Sequence, residues 1–85
     1  MRSYKIVIKR SAAKELQKIT PKDRDRLIEC IRDLATDPRP TNFKGLSGQG
    51  KYRIRQGNYR ILYRVEDDVL IITVVKIGHR RDVYK

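Results

Sequence analysis

Two short runs hold most of the residues that could do chemistry: Tyr52-Arg53-Ile54-Arg55 and Tyr59-Arg60-Ile61-Leu62-Tyr63-Arg64. Between them, Gly57-Asn58 is a two-residue hairpin signal of the Gly-first kind. Such a turn sets Gln56 opposite Tyr59, Arg55 opposite Arg60, Ile54 opposite Ile61 and Arg53 opposite Leu62. Opposed residues share a face, and successive residues alternate between faces. One face then collects Arg53, Arg55, Arg60 and Arg64, and the other collects Tyr52, Ile54, Ile61 and Tyr63. Like charges directly across a strand pair repel, so a merely structural sheet would avoid this packing. The planar guanidinium fork suits two-point contact with phosphate. The chemistry implied is the grip of a phosphodiester; the bland alternative is a solvated face that keeps the protein in solution.

A second basic cluster ends the chain: Gly78-His79-Arg80-Arg81-Asp82-Val83-Tyr84-Lys85. Leaving the last strand at Gly78, it can fold over the edge of the arginine face. His79 is the only histidine, the residue type fitted to pass protons at neutral pH, although a lone histidine in a surface loop is usually no more than that. Tyr84 offers a ring on which an unpaired base can stack, or a C-terminal anchor against the core. Cys30, the only cysteine, sits between Ile28 and Ile31 in a helical pattern and reads as a buried thiol. One Cys and one His cannot build a zinc site of the usual ligand count, so neither a metal nor a cofactor is expected.

Several elements must position these residues. Tyr4 to Lys9 is compact and β-branched, a strand. Ser11 can cap a helix whose stripe is Ala12, Ala13, Leu16 and Ile19. Thr20-Pro21 starts a second helix, with Leu27, Ile28, Ile31, Leu34 and Ala35 on one side and Asp37-Pro38-Arg39-Pro40 as its stop. The two helices form a hairpin. A long loop from Thr36 to Gly50 follows, anchored by Phe43 and Leu46. Lys51 to Gln56 and Tyr59 to Val65 are the arginine-bearing strands. Val69 to Ile77 is a nearly unbroken apolar run, expected inside the sheet and covered on both faces. The fold class is α+β: one domain over 1–85, an antiparallel sheet with an N-terminal helical hairpin on one face, in the order β-α-α-β-β-β.

The sequence has 85 residues with 21 Lys and Arg against 10 Asp and Glu, a net charge of +11. A field of that sign attracts polyanions: nucleic acid, an acidic membrane surface or an acidic protein. The first ten residues hold no signal-peptide stretch, and nothing approaches a membrane span. A cytoplasmic protein is expected.

The runs Lys44-Gly45-Leu46, Tyr52-Arg53-Ile54-Arg55, Gly57-Asn58-Tyr59-Arg60-Ile61-Leu62-Tyr63 and Gly78-His79-Arg80-Arg81-Asp82-Val83-Tyr84 resemble the RelE toxins of bacterial and archaeal toxin–antitoxin pairs. The resemblance implies a RelE-like fold and a ribosome-dependent endonuclease that cuts messenger RNA in the ribosomal A site, held inactive by an acidic, RelB-like antitoxin. It implies that Arg53 and Arg55 bind RNA and help activate the ribose 2′-hydroxyl, and that Arg60 stabilises charge on the scissile phosphate. Arg80 would stand at the leaving oxygen and Tyr84 would stack on or orient the substrate. Well-known members of that family carry lysines where this chain has Arg53 and Arg55. A guanidinium is a poor base, so either Arg55 only favours ionisation of the hydroxyl electrostatically, or His79 takes the proton, or the ribosome helps. The chain ends at Lys85, which is expected to leave no room for the C-terminal helix of some relatives, on the surface where the antitoxin binds. Two rival readings are a catalytically silent RNA- or ribosome-binding module and a ParE-like inhibitor of a topoisomerase.

Overall fold

β-Branched Ile6, Val7 and Ile8 make β1 (Lys5–Ile8), and the chain turns at once into α1 (Arg10–Lys18). Ser11 lies inside that helix rather than capping it; the cap position is Lys9, where no side chain bonds the free N–H groups. The Lys9 backbone explains the early start. Its N–H donates to the Val74 carbonyl (3.0 Å), while its carbonyl accepts from Ala13 N–H (2.9 Å), so sheet and helix meet at one residue. Pro21 opens α2 (Pro21–Leu34) as expected, and the Thr20 hydroxyl turns to Asp23 (3.3 Å) instead of the backbone. The computed structural model describes residues 3–41, 43–45 and 50–79.

Four more strands follow: β2 (Lys44–Gly45), β3 (Lys51–Gln56), β4 (Tyr59–Glu66) and β5 (Ile71–His79). β2 is an addition to the expected order, lying inside the segment read as a loop, where it pairs with β3. Leu46, the second expected anchor of that loop, lies outside the described residues. The sheet runs β1-β5-β4-β3-β2. Its neighbours are antiparallel except β1 and β5, which are parallel, so the sheet is mixed. Parallel neighbours need a long connection, and everything between the first and last strands supplies it.

Both helices cover one side of the sheet, α1 against β5 and α2 against β3. Ala12, Leu16, Ile19, Leu27, Ile31 and Leu34 form one core with Ile54, Ile61, Tyr63, Val65, Ile72, Val74 and Ile77. β5 is interior, as its apolar run requires, but the helices of the described residues cover only one of its faces. Thr73 and Val75 on the other face are half-buried, beside long cationic side chains whose stems can shelter apolar surface. Among the described residues no helix is long and apolar enough to cross a membrane.

A clamp closes the end of the sheet away from the β3–β4 turn. Arg39 donates to both Asp67 oxygens (2.8 and 3.3 Å) and to the Tyr52 hydroxyl (3.2 and 3.3 Å), with its guanidinium 5.0 Å from the Tyr52 ring centroid. The Tyr4 hydroxyl donates to Asp67 (2.6 Å), and Tyr63 donates to the Pro38 carbonyl (2.7 Å). Phe43 meets Tyr52 edge-on at 5.7 Å and serves as the expected anchor. Donation by Arg39, then by Tyr4, holds the Asp67 carboxyl below the usual carboxylate range. Burial pushes the Tyr63 hydroxyl well above the ordinary tyrosine value.

Arg39→Ala should cost about 1 kcal/mol, mostly its contact with Tyr52, because the half-exposed bridge to Asp67 is screened. That corresponds to a fall in Tm of about 4–8 °C. The pH dependence has two signs. Asp67, with its folded value depressed, stabilises above the unfolded carboxylate value and loses that contribution as pH falls through the folded one. Tyr63, with its folded value raised, stabilises below about pH 10 and loses that contribution as pH rises further. Urea titrations across pH should therefore show a shallower acid limb for Asp67→Asn and a shallower alkaline limb for Tyr63→Phe.

Candidate functional site

Gly57 opens the β3–β4 turn at φ +60°, in the left-handed region that glycine enters freely. The strands leave it in the expected register: Gln56 with Tyr59, Arg55 with Arg60, Ile54 with Ile61, Arg53 with Leu62 and Lys51 with Arg64. Ile54, Ile61 and Tyr63 are at most 1% exposed and face the helices. The reverse face therefore carries Arg53, Arg55, Arg60 and Arg64. Arg55 and Arg64 are exposed, whereas Arg53 and Arg60 are half-buried.

Three lysines widen this face. Lys51 stands opposite Arg64, Lys44 of β2 opposite Arg53, and Lys76 of β5 opposite Leu62. The sequence reading missed Lys44 because its segment was read as loop. It missed Lys76 because a β-bulge decides its side: Leu62 pairs with Lys76 while Tyr63 pairs with Val74, leaving Val75 as the extra residue. A hydrophobic run with no turn signal gives no hint of that insertion. Lys9, Lys51 and Arg64 border a groove of about 350 Å3 that also includes Leu62, Thr73 and Val75. Among the described strand residues, Glu66 is the only acid on the open face, at its far end opposite Ile71. Such a row of cations can hold a phosphodiester chain and stabilise charge developing on a phosphate, because the strands fix where the guanidiniums start.

His79 is not in a loop. It is the last residue of β5, paired with Tyr59, and the two rings meet edge-on with centroids 5.8 Å apart. Because Arg60 pairs with Gly78, alternation puts His79 on the helix-covered face, away from Arg55 and Arg60. The structure brings together Arg53, Arg55 and Arg60 and leaves His79 at the rim of the other side. Arg80 and Tyr84 lie outside the described residues. Cys30 is half-buried on α2, where burial, then Asp33, pushes its thiol up and favours the protonated form. Among the described residues no three His, Cys, Asp or Glu side chains are grouped to hold a metal.

The family model for the ParE toxin of the type II toxin–antitoxin system parDE matches residues 6–84. Toxin RelG of Mycobacterium tuberculosis is 28% identical over 85 residues, 96% of this chain and 97% of its own. The putative toxin RelE1 of Methanocaldococcus jannaschii is 33% identical over 86 residues, 96% of each chain. The archaeal RelE–RelB complex from Pyrococcus horikoshii OT3 contains a chain that matches at a TM-score of 0.86 and 28% identity, over 95% of this chain and 99% of that one. On these matches the chain belongs to the RelE family of type II toxin–antitoxin toxins, within the superfamily shared with ParE.

Proposed function

We propose that this toxin cuts messenger RNA on the ribosome by promoting attack of a ribose 2′-hydroxyl on the adjacent phosphate. The observation that supports this most is the in-register pair Arg55 and Arg60, with Arg53 beside it, on the open face of a hairpin whose other face is buried. In the reaction a 2′-O–P bond forms and the P–5′-O bond breaks, giving a cyclic phosphate and a 5′-hydroxyl. The nucleophile belongs to the RNA, so the protein's task is in-line positioning and cationic stabilisation. Arg60 meets the scissile phosphate, and Arg53 and Arg55 hold the strand and favour ionisation of the 2′-hydroxyl. Arg80 serves the leaving oxygen and Tyr84 stacks on the substrate. Guanidiniums stay protonated, so the 2′ proton leaves to water or to a ribosomal group. His79, on the far face, is not assigned that step.

Among the described residues the open face offers a groove open to solvent rather than an enclosed cavity, so the ribosome supplies the ordering of a flexible strand. An acidic antitoxin covers the arginines when the toxin is silent; the net charge of +11 and relatives solved as RelE–RelB complexes support that partner. A second reading has one observation in its favour, the match to the ParE model: a toxin that acts on a topoisomerase and leaves RNA intact.

Induction of the gene in a bacterial host separates the two, because new messenger RNA ends should accompany growth arrest, whereas altered chromosome topology with intact messenger RNA would sink the nuclease. Co-expression with an acidic protein encoded beside the gene should restore growth through a stable complex. In single-turnover cleavage of ribosome-bound messenger RNA, Arg60→Ala should lose about 10²–10³ in rate and His79→Ala far less; the reverse ranking would require a histidine base. Binding to single-stranded RNA should lose about 0.7 from its salt slope for each of Arg53, Arg55 and Arg60 replaced by alanine. Lys22→Ala on α2 should leave the slope unchanged.

A further inference from the structure

Arg55 and Arg60 oppose each other across one hairpin, yet their surroundings differ. Arg55 is exposed; Arg60 is half-buried, and its Nε atom is shielded from solvent. What lies beside Arg60 on its other flank is Gly78 of β5, in direct register with it. Gly78 is itself buried although no helix among the described residues covers the face to which its position belongs. Opposed residues on one face have β-carbons about 4.5–5.5 Å apart, so a side chain at 78 would stand where the Arg60 stem can settle. With hydrogen in its place, the guanidinium can lie down across β5.

The bulge makes this arrangement possible. Between Tyr63 and Glu66 the register runs Tyr63 with Val74, Arg64 with Thr73, Val65 with Ile72 and Glu66 with Ile71. Continued without interruption, it would put Ile77 opposite Arg60, with a branched side chain on the open face. The extra residue, Val75, shifts the pairing by one. Ile77 then turns into the core, 1% exposed, and Gly78 arrives opposite Arg60.

We propose that Gly78 and the Val75 bulge form a seat that fixes the Arg60 guanidinium, making Gly78 a positioning residue for the phosphate site. The functional half of this rests on the proposed role of Arg60. A seated guanidinium has little rotamer freedom left to lose when charge builds on the phosphate, which is the condition for strong electrostatic stabilisation.

The seat can be read in the unmodified protein by NMR, comparing water exchange of the Arg60 Nε–H with that of exposed Arg64. Exchange about tenfold or more slower at Arg60 is expected; equal exchange overturns the proposal. Gly78→Val, checked for folding by its melting curve, should lose that protection. Its single-turnover cleavage of ribosome-bound messenger RNA should fall about 10²–10³-fold at saturating ribosomes with unchanged binding. Added to Arg60→Ala, it should cost nothing further. A folded Gly78→Val with normal exchange and normal rate refutes the seat. If valine prevents folding, Gly78→Ala is measured instead, and unchanged exchange and rate there count against the seat in the same way. If Arg60→Ala itself cleaves normally, the catalytic reading fails, while the exchange comparison still decides whether the seat exists.

Discussion

Ile54 and Ile61 face each other across β3 and β4 on the buried side, one residue along from where Arg55 and Arg60 face each other on the open side. The two pairs are held by the same backbone and pull in opposite directions. Opposed like charges cost roughly 0.2–1 kcal/mol. Burying one isoleucine side chain fully contributes about 1.5–3 kcal/mol, and both are at 0% exposure. The apolar side wins, and the arginines stay where the strands put them. A two-stranded hairpin alone is marginal in water, so this balance depends on the helices above it and on β5 beside it.

The ends of β4 carry different duties. Near the β3–β4 turn, the bulge and a glycine shape the surface around Arg60. At the far end, Arg39 draws together the segment after α2, the start of the chain, the turn after β4 and the ring of Tyr52. Tyr63 links the two ends: its ring lies in the core under the arginine face and its hydroxyl donates to Pro38. Burial keeps that hydroxyl neutral, so the bond does not place a charge inside. The strand arginines thus gather on one face, and the groups that stiffen the sheet occupy the other face and the edges.

The hairpin was legible in the sequence because its signals are local. Gly57-Asn58 fixes the turn, the turn fixes the register, and alternation then assigns each arginine a side. The helices were equally legible from their apolar stripes and from Pro21. What escaped depends on partners distant in sequence. The parallel pairing of β1 with β5 leaves no mark on Lys5–Ile8 itself. The bulge at Val75 sits in an apolar run where one more residue looks like any other, and with it went the sides of Lys76, Gly78 and His79. Ser11 looked like a cap because its type is right, but the sheet bond to Lys9 starts α1 before it. Arg39 carries no local signal, since its partners Tyr52 and Asp67 are 13 and 28 residues away.

The pairing of β1 with β5 also bears on how the protein comes into being. β1 is synthesised first and β5 last, and the Tyr4–Asp67 bond spans 63 residues of sequence. Contacts of that separation form late, since the connecting chain must be closed before they stabilise anything. Until β5 has emerged, the arginine-bearing strands lack a neighbour and the helices lack most of their floor. A nascent chain therefore presents loose cations rather than an ordered face to the ribosome that is making it. The step that completes the sheet is the step that orders the arginine face, and it leaves an interval in which a partner already present can bind.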